Sequence, residues 1–192
     1  VCIQTGTTTE LNLADFFRLN GISYEALPIE TNDEGKENLF AGRCDVYTTD
    51  ASGLSSTRAA AADPGKWLVL PEIISKEPLG PLVRHGDHQW GDVVRWSLNA
   101  MIIAEELGVT SENVDAQKSS NVPEVLRLLG VEGSYGEMLE LAPDWAYQII
   151  KQIGNYSESY EANVGPDTPL EIARGLNALW TQGGILYAPP FR

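Results

Sequence analysis

The residues best suited to chemistry lie at a strand-to-helix turn near the start of the chain, Gly6-Thr7-Thr8-Thr9-Glu10. In an open α/β sheet, ligands bind beyond the carboxyl ends of the strands. A helix N-terminus at that edge offers unpaired N–H donors and a partial positive charge, and threonine hydroxyls add further donors. The turn is therefore suited to a carboxylate. An ordinary capped helix explains the same residues, because threonine is a common N-cap.

Asp50 is the second candidate, because it follows a strand predicted over 44–48 and precedes a helix predicted over 51–62. A carboxylate at this point can pair with an ammonium group, although its position alone favours a helix N-cap. The two features are more informative together than apart. A carboxylate-binding turn and an ammonium-binding aspartate at neighbouring strand ends describe the head group of an α-amino acid.

The elements that must position these residues alternate between strand and helix over about the first 85 residues. This alternation predicts an open, mainly parallel α/β sheet. Apolar residues recur with helical spacing over 10–19, and two more helices are predicted, over 32–41 and 51–62. The predicted strands cover 1–5, 22–28, 44–48, 67–70 and 79–84.

The rest of the chain is predicted to be nearly all helical. A long amphipathic helix is expected over 90–107, because its apolar residues form one side. Shorter helices are predicted over 122–129, 137–141, 144–153, 156–164 and 169–180, followed by an extended end. We therefore predict an α/β lobe over 1–85 that carries the ligand residues. A helical region over 86–192 is expected to complete or pack on another lobe.

Composition excludes several classes of function. The 192 residues are 43% hydrophobic and carry a net charge of −14, which favours a soluble globule. Nucleic acids and anionic membranes are disfavoured as partners, because both require basic patches. No apolar run reaches the length of a membrane-spanning helix. Val1 opens directly into a predicted strand, so no signal peptide is visible and an internal start, by removal or loss of an N-terminal part, is expected.

No motif for catalysis, a cofactor or a metal is recognised. The sequence lacks Gly-x-Ser-x-Gly, a P-loop, Gly-x-Gly-x-x-Gly and Cys-x-x-Cys. His85 and His88 lie close together without a third ligand nearby, so exposed loop histidines are a better interpretation than a metal site. We predict no enzyme activity, no cofactor and no metal.

Three stretches together resemble the second lobe of periplasmic polar amino acid-binding proteins, which feed ABC importers. They are Val1-Cys-Ile-Gln-Thr-Gly-Thr-Thr-Thr-Glu-Leu, Leu39-Phe-Ala-Gly-Arg-Cys-Asp-Val-Tyr-Thr-Thr-Asp-Ala-Ser and Leu82-Val-Arg-His-Gly-Asp. Later stretches resemble the C-terminal region of the general L-amino acid-binding branch, among them Gly154-Asn-Tyr-Ser-Glu-Ser-Tyr-Glu and Tyr187-Ala-Pro-Pro-Phe-Arg. The resemblance covers essentially the whole chain.

The resemblance implies a periplasmic-binding-protein-like (type II) fold and a role in amino acid transport. Such a protein binds a free L-amino acid between two lobes in the periplasm and delivers it to the permease subunits of the transporter. By the same resemblance, Thr8 binds the ligand α-carboxylate and Asp50 the α-ammonium group, with Thr9 and Thr7 as further turn positions. A first lobe, expected before Val1, supplies an arginine and the contacts to the ligand side chain. This chain alone is therefore expected to bind weakly.

Two other functions remain open on the same scaffold. A sensory or regulatory module uses lobe closure to signal rather than to deliver a ligand. A dehydratase-like enzyme is the third possibility. A transmembrane or kinase segment adjoining this chain would favour the sensor, and turnover of a prephenate-like substrate would favour the enzyme.

The two cysteines are predicted to form a disulfide. Cys2 and Cys44 lie in predicted strands that are neighbours in one small sheet, so their Cα atoms can approach within the roughly 4.4–6.8 Å that a disulfide requires. A periplasmic location is oxidising and permits the bond. The alternative is a pair of buried free thiols that pack as small apolar residues.

Overall fold

The computed structural model describes residues 1–76 and 78–191. Its backbone divides into two compact units. Unit 1 comprises Val1–Leu79 with Pro169–Ile172, and unit 2 comprises Gly80–Thr168 with Ala173–Arg192. The short stretch Pro169–Ile172 thus leaves the helical part of the chain and packs with unit 1. Our division into a lobe over 1–85 and a helical region over 86–192 stays a prediction.

Unit 1 is built on a small parallel sheet. Strand β1 (Cys2–Gln4) pairs in parallel with β2 (Leu27–Ile29), with Cys2 opposite Leu27. On the other side of β1, the Cys2 N–H donates to the carbonyl of Val46 at 2.7 Å, and Thr48 N–H donates to the carbonyl of Cys2 at 3.3 Å. An isolated parallel bridge joins Cys2 to Tyr47. Strand β1 is therefore central, and the predicted parallel α/β arrangement is present in shortened form.

Three helices follow the extended segments of unit 1. They are α1 (Thr8–Leu19), α2 (Asn32–Phe40) and α3 (Ala51–Ala59). The core beneath them contains Cys2, Ile29, Cys44 and Tyr47, all buried, with Leu27, Leu39 and Leu54 packed against it. Cys2 and Cys44 are joined by a disulfide, with their Cα atoms 5.7 Å apart. The predicted disulfide is confirmed, and it crosslinks the centre of this core.

The strands predicted over 67–70 and 79–84 are wrong. Within residues 1–76 and 78–191 neither segment is paired as a strand; each runs as irregular chain. Several of their apolar side chains are also exposed to water, among them Leu68 at 79% and Leu82 at 98%. A run of apolar residues becomes a strand only when a neighbouring backbone accepts and donates its hydrogen bonds. The sequence pattern does not show whether such a neighbouring strand is present.

Unit 2 is helical. Its α-helices are α4 (His88–Glu106), α5 (Val114–Gln117), α6 (Pro123–Leu128), α7 (Trp145–Ile153) and α8 (Tyr156–Asn163). The long helix α4 packs against α6, α7 and α8. Its buried residues join those of the other helices in one apolar cluster. The helices predicted over 90–107, 122–129, 144–153 and 156–164 are present with slightly different ends, whereas the short α5 was not predicted.

The helix predicted over 169–180 is also wrong. This stretch is mostly irregular, with 3-10 turns at Gly175–Asn177 and Trp180–Gln182. Glu171 has φ of 52° and Gly175 has φ of 49°, and a residue in the left-handed region interrupts a right-handed helix. Similarly, the helix predicted over 137–141 is a single 3-10 turn over Glu137–Leu139, and the next residue, Glu140, has φ of 56°.

A polar network fastens the start of α8 to the loop before α5. The Asn155 side-chain oxygen accepts from the Glu158 N–H at 3.0 Å, and a Glu158 carboxylate oxygen accepts from the Asn155 N–H at 2.8 Å. Glu158 also accepts from the Ser111 hydroxyl at 2.6 Å, while the Asn155 amide donates to the Val109 carbonyl at 2.9 Å. This capping box satisfies backbone donors at the helix start and joins two parts of unit 2.

The Glu158 network predicts a pH-dependent contribution to stability. Burial raises the pKa of Glu158, but hydrogen bonds from the Ser111 side chain and from the Asn155 and Ser111 N–H groups hold it below its usual value. A lowered folded-state pKa stabilises the protein above the unfolded pKa, and this stabilisation is lost as pH falls through the folded pKa. We expect Glu158→Gln to destabilise unit 2 by about 1 kcal/mol at pH 7.

Urea unfolding of wild type and variant at pH 7 and at about pH 3 checks this expectation, because the difference between them should shrink in acid. Glu161→Gln is the matched control, since Glu161 is an exposed residue of the same helix. A difference that stays constant with pH would contradict the proposed role of the Glu158 charge.

Candidate ligand-binding site

The turn after β1 is shaped by its own side chains. The Thr7 hydroxyl is the N-cap of α1: it accepts from the Glu10 N–H at 3.3 Å and donates to the Gln4 carbonyl at 2.8 Å. The Glu10 carboxylate accepts from the Gly6 N–H at 2.8 Å, and Gly6 has φ of 72°, a conformation that favours glycine. The interpretation as an ordinary capped helix is therefore right for Thr7, because its hydroxyl caps α1 and bonds the turn before it.

Thr8 and Thr9 occupy the first two positions of α1. Thr8 is exposed and Thr9 is half-buried. The first four N–H groups of an α-helix have no acceptor within the helix, and the partial positive charge of the helix dipole lies at the same end. The Glu10 N–H is capped by Thr7, so the hydroxyl of Thr8 and the other N–H groups of this helix start are the ones that suit a carboxylate of a ligand.

Asp50 lies at the N-cap position of α3, but its side chain makes no capping hydrogen bond. The residue is exposed. The interpretation of Asp50 as an ordinary N-cap therefore lacks the hydrogen bond that defines one. An exposed carboxylate without a capping hydrogen bond suits a cationic group of a ligand.

The sheet brings the two candidate positions to one edge. Segment 46–48 runs parallel to β1 and is hydrogen-bonded to it. Thr8 comes four residues after the last residue of β1, and Asp50 two residues after Thr48. Because the carboxyl ends of neighbouring parallel strands meet at the same edge, we expect the turn with Thr8 and the start of α3 with Asp50 to lie close together there.

Two contacts fix the segment that leads to Asp50. The Cys2–Cys44 disulfide ties its beginning to β1. The Tyr47 hydroxyl donates to the Asn32 side-chain oxygen at 2.7 Å, and burial raises the pKa of Tyr47. The segment that precedes Asp50 is thus held to unit 1 by a covalent and a polar contact.

Unit 1 also contains a cavity that other residues line. It measures about 260 Å³ and its lining residues are Arg58, Ala59, Pro64, Gly65, Pro169 and Glu171. Arg58 donates to the Glu171 carboxylate at 2.7 Å. The two charged side chains that line this cavity therefore neutralise each other. Sequence reasoning missed this pair, because its members are separated by 113 residues and no local pattern joins them. We assign the pair a structural role, holding Pro169–Ile172 on unit 1.

Metal sites and membrane spans are the other classes of site to consider in residues 1–76 and 78–191. No group of three or more His, Cys, Asp or Glu side chains in these ranges is arranged to hold a metal ion. His85 and His88 are both exposed. Among the helices of the same ranges, none combines the length and the apolar character that crossing a bilayer requires.

The chain is similar over its whole length to several amino acid-binding proteins, although no protein-family model matches it. It is 54% identical to the glutamate/glutamine/aspartate/asparagine-binding protein BztA of Rhodobacter capsulatus. It is also 54% identical to the general L-amino acid-binding periplasmic protein AapJ of Rhizobium johnstonii. The putative amino-acid ABC transporter-binding protein YhdW of Escherichia coli K12 is 53% identical to it. Each match covers 100% of this chain and 57% of the relative.

A solved structure shows the same fold. This ABC transporter/periplasmic binding protein from Brucella ovis, with glutathione bound, superposes with a TM-score of 0.93 and 51% identity. The match covers 100% of this chain and 60% of that one. The predicted periplasmic-binding-protein-like fold is therefore confirmed. Throughout its length this chain is a homologue of the binding proteins of amino-acid ABC transporters, and it spans somewhat more than half of such a protein.

Proposed function

We propose that this chain is part of the solute-binding component of an amino-acid ABC transporter, which binds free L-amino acids in the periplasm and delivers them to a membrane permease. One observation carries the proposal. The turn with Thr8 and the start of α3 with Asp50 follow neighbouring parallel segments at one edge of the sheet. This placement suits the two opposite charges of an α-amino acid head group.

Each candidate residue has a distinct role in this proposal. The Thr8 hydroxyl and the first N–H groups of α1 bind the α-carboxylate, with Thr9 as a second donor in the same turn. Asp50 pairs with the α-ammonium group through charge-assisted hydrogen bonds, which are about twice as strong as neutral ones. Thr7 contributes by shaping the turn, because its hydroxyl already contacts Glu10 and Gln4.

The ligand class follows from what the bound molecules of the relatives share. One relative is named for glutamate, glutamine, aspartate and asparagine, another for L-amino acids in general, and the Brucella protein holds glutathione. All of these molecules carry an α-ammonium and an α-carboxylate on one carbon, in glutathione at its γ-glutamyl end. A site that binds this head group accepts all of these ligands. Contacts from outside this chain then select among the ligand side chains.

The names of the relatives also favour transport over the two alternatives on this scaffold. All of those compared are binding proteins, and YhdW and the Brucella protein are tied to ABC transporters by name. The Cys2–Cys44 disulfide is in keeping with an oxidising compartment such as the periplasm. A sensory module or a dehydratase-like enzyme lacks comparable support.

The head-group proposal predicts a specific loss on changing Asp50. In ¹⁵N-labelled protein, L-glutamine should shift the amide signals of Thr8 and Thr9, with a dissociation constant weaker than about 1 µM because this chain supplies only part of the contacts. Asp50→Asn should weaken binding at least about tenfold, since the ammonium group loses its charged partner. Nuclear magnetic resonance titration measures both affinities.

Two controls sharpen the experiment. Asp45→Asn changes another exposed carboxylate of the same segment and should leave the affinity unchanged. Glutaramate, which is glutamine without its α-ammonium group, should bind wild type and Asp50→Asn equally weakly. The proposal fails if saturating L-glutamine leaves the Thr8 and Thr9 signals in place, or if Asp50→Asn binds it as well as wild type does.

A further inference from the structure

A second cavity, in unit 2, has a preformed apolar floor. It measures about 200 Å³, and the residues that line it include Ile103, Ala188 and Phe191. Ile103, Ala188 and Phe191 are all less than 9% exposed. The Phe191 ring stacks on Trp96 at 5.2 Å between centroids, and the Arg127 side chain donates to its carbonyl at 3.1 Å. The Phe191 part of this floor is therefore held by a ring contact and a hydrogen bond.

Two aromatic side chains form the walls of this cavity. The rings of Trp180 and Tyr187 meet edge to face, with 5.5 Å between centroids and 79° between planes. They are 50% and 70% exposed, so much of their π surface faces solvent. The backbone fixes their spacing, because Trp180 N–H donates to the Leu186 carbonyl at 3.0 Å. Exposed aromatic faces held at a fixed angle are a surface on which a cation can stack.

The two charged side chains that line the cavity are negative, while the Arg127 side chain donates to the backbone carbonyl of Phe191. Glu106 and Glu124 line it and are both exposed. The indole N–H of Trp180 donates to the Glu106 carboxylate at 3.2 Å, which orients the carboxylate and the ring together. Among the described residues, none of those lining the cavity is basic. A positively charged group is therefore the complementary occupant.

The size of the cavity argues for a single side chain. Its volume of about 200 Å³ lies below the roughly 300–1,000 Å³ of typical small-molecule sites. An arginine matches the three parts of the lining at once: its aliphatic stem covers the apolar floor, its planar guanidinium stacks on the aromatic walls, and its N–H fork pairs with the carboxylates. We propose that this cavity is a docking pocket for an arginine side chain of a protein partner.

The pocket can be tested with short peptides on the chain as it stands. The probe is the blocked tripeptide acetyl-Gly-Arg-Gly-amide, titrated into ¹⁵N-labelled protein while the indole N–H signal of Trp180 is followed; Trp180→Phe assigns that signal. We expect saturable binding in the millimolar range. Glu106→Gln and Glu124→Gln should each weaken it at least about threefold, because each removes one charge partner. Glu112→Gln, an exposed carboxylate outside the cavity lining, should change nothing.

Two further peptides distinguish the possible occupants. The same tripeptide with citrulline, a neutral isostere of arginine, should bind at least about tenfold more weakly, because the charge is lost. The lysine tripeptide should bind more weakly than the arginine one, because an ammonium lacks the planar fork. Equal binding of the citrulline peptide would show an apolar or neutral occupant and overturn the proposal, as would equal binding of the lysine peptide. A Trp180 signal that no peptide moves would also overturn it. The residues of unit 1 take no part in this test, so its outcome is independent of the amino acid site.

Discussion

Loss of the Cys2–Cys44 disulfide is expected to destabilise unit 1 by about 4 kcal/mol, since the bond crosslinks positions 42 residues apart and restricts the unfolded chain accordingly. Amide hydrogen exchange measures the effect within unit 1. The Cys2 N–H, bonded to the Val46 carbonyl at 2.7 Å, should lose about a thousandfold of its protection in the double variant Cys2→Ala/Cys44→Ala. The Val109 N–H of unit 2 serves as an internal control and should keep its protection.

Reduced wild type separates the crosslink from the packing of its sulfur atoms. Both cysteines are buried in the core of unit 1, so the alanine variant also loses apolar contacts. The reduced protein keeps both sulfurs and should show most of the same loss. A titration of thiols in denatured, unreduced protein should detect none. Two thiols per chain would contradict the bond, and unchanged exchange after reduction would contradict its contribution to stability.

Arg174→Met should destabilise unit 2 by about 3 kcal/mol. One guanidinium nitrogen of Arg174 lies 3.0 Å from both carboxylate oxygens of Glu105, and the two side chains are only 15% and 9% exposed. The guanidinium also lies 5.2 Å and 5.3 Å from the ring centroids of Tyr156 and Tyr160. Removing the arginine leaves the Glu105 charge buried without this partner, which typically costs 3–5 kcal/mol. Because Arg174 retains some solvent contact, the lower end of that range is expected.

Urea unfolding with hydrogen exchange in unit 2 measures this loss. Arg174→Lys keeps the charge but not the planar fork and should lose less, about 1–2 kcal/mol. Arg18→Met is the matched control: Arg18 pairs with Asp15 at 2.7 Å, but the two side chains are 77% and 62% exposed, and such pairs contribute at most about 0.5–1 kcal/mol. Adding Glu105→Gln to Arg174→Met should restore part of the stability. Equal effects of Arg174→Met and Arg18→Met would refute the buried pair.

The sequence was sufficient to nominate the candidate ligand residues, because the relevant signals are local. A strand end followed by Gly6 and three threonines predicts a helix start, and the structure places α1 there from Thr8. The same reasoning placed Asp50 before a helix, where the structure has α3. Local pattern alone did not distinguish the roles of Thr7 and Asp50. Thr7 makes the capping hydrogen bond and Asp50 makes none.

Most helices of unit 2 were predictable for a similar reason. The hydrogen bonds of a helix are satisfied within one segment, so an apolar stripe and a terminal glycine or asparagine suffice to indicate it. Helix α4 follows this rule, and Gly108, with φ of 67°, lies just beyond its end. The helix predicted over 169–180 did not form. Glu171 adopts a left-handed conformation there, and its carboxylate pairs with Arg58, which is distant in the sequence.

The sequence by itself determined the fold class, the related protein family, the disulfide partners and the candidate residues Thr8 and Asp50. Only the tertiary structure decided which extended segments pair, since 46–48 lies beside β1 whereas 67–70 and 79–84 have no paired strand within the described residues. It alone joined Arg58 to Glu171, Arg174 to Glu105, and Trp180 to Glu106. The physical reason is the same in each case: strand pairing and ion pairing depend on groups far apart in the chain, whereas a capped turn and an amphipathic helix are encoded within a few residues.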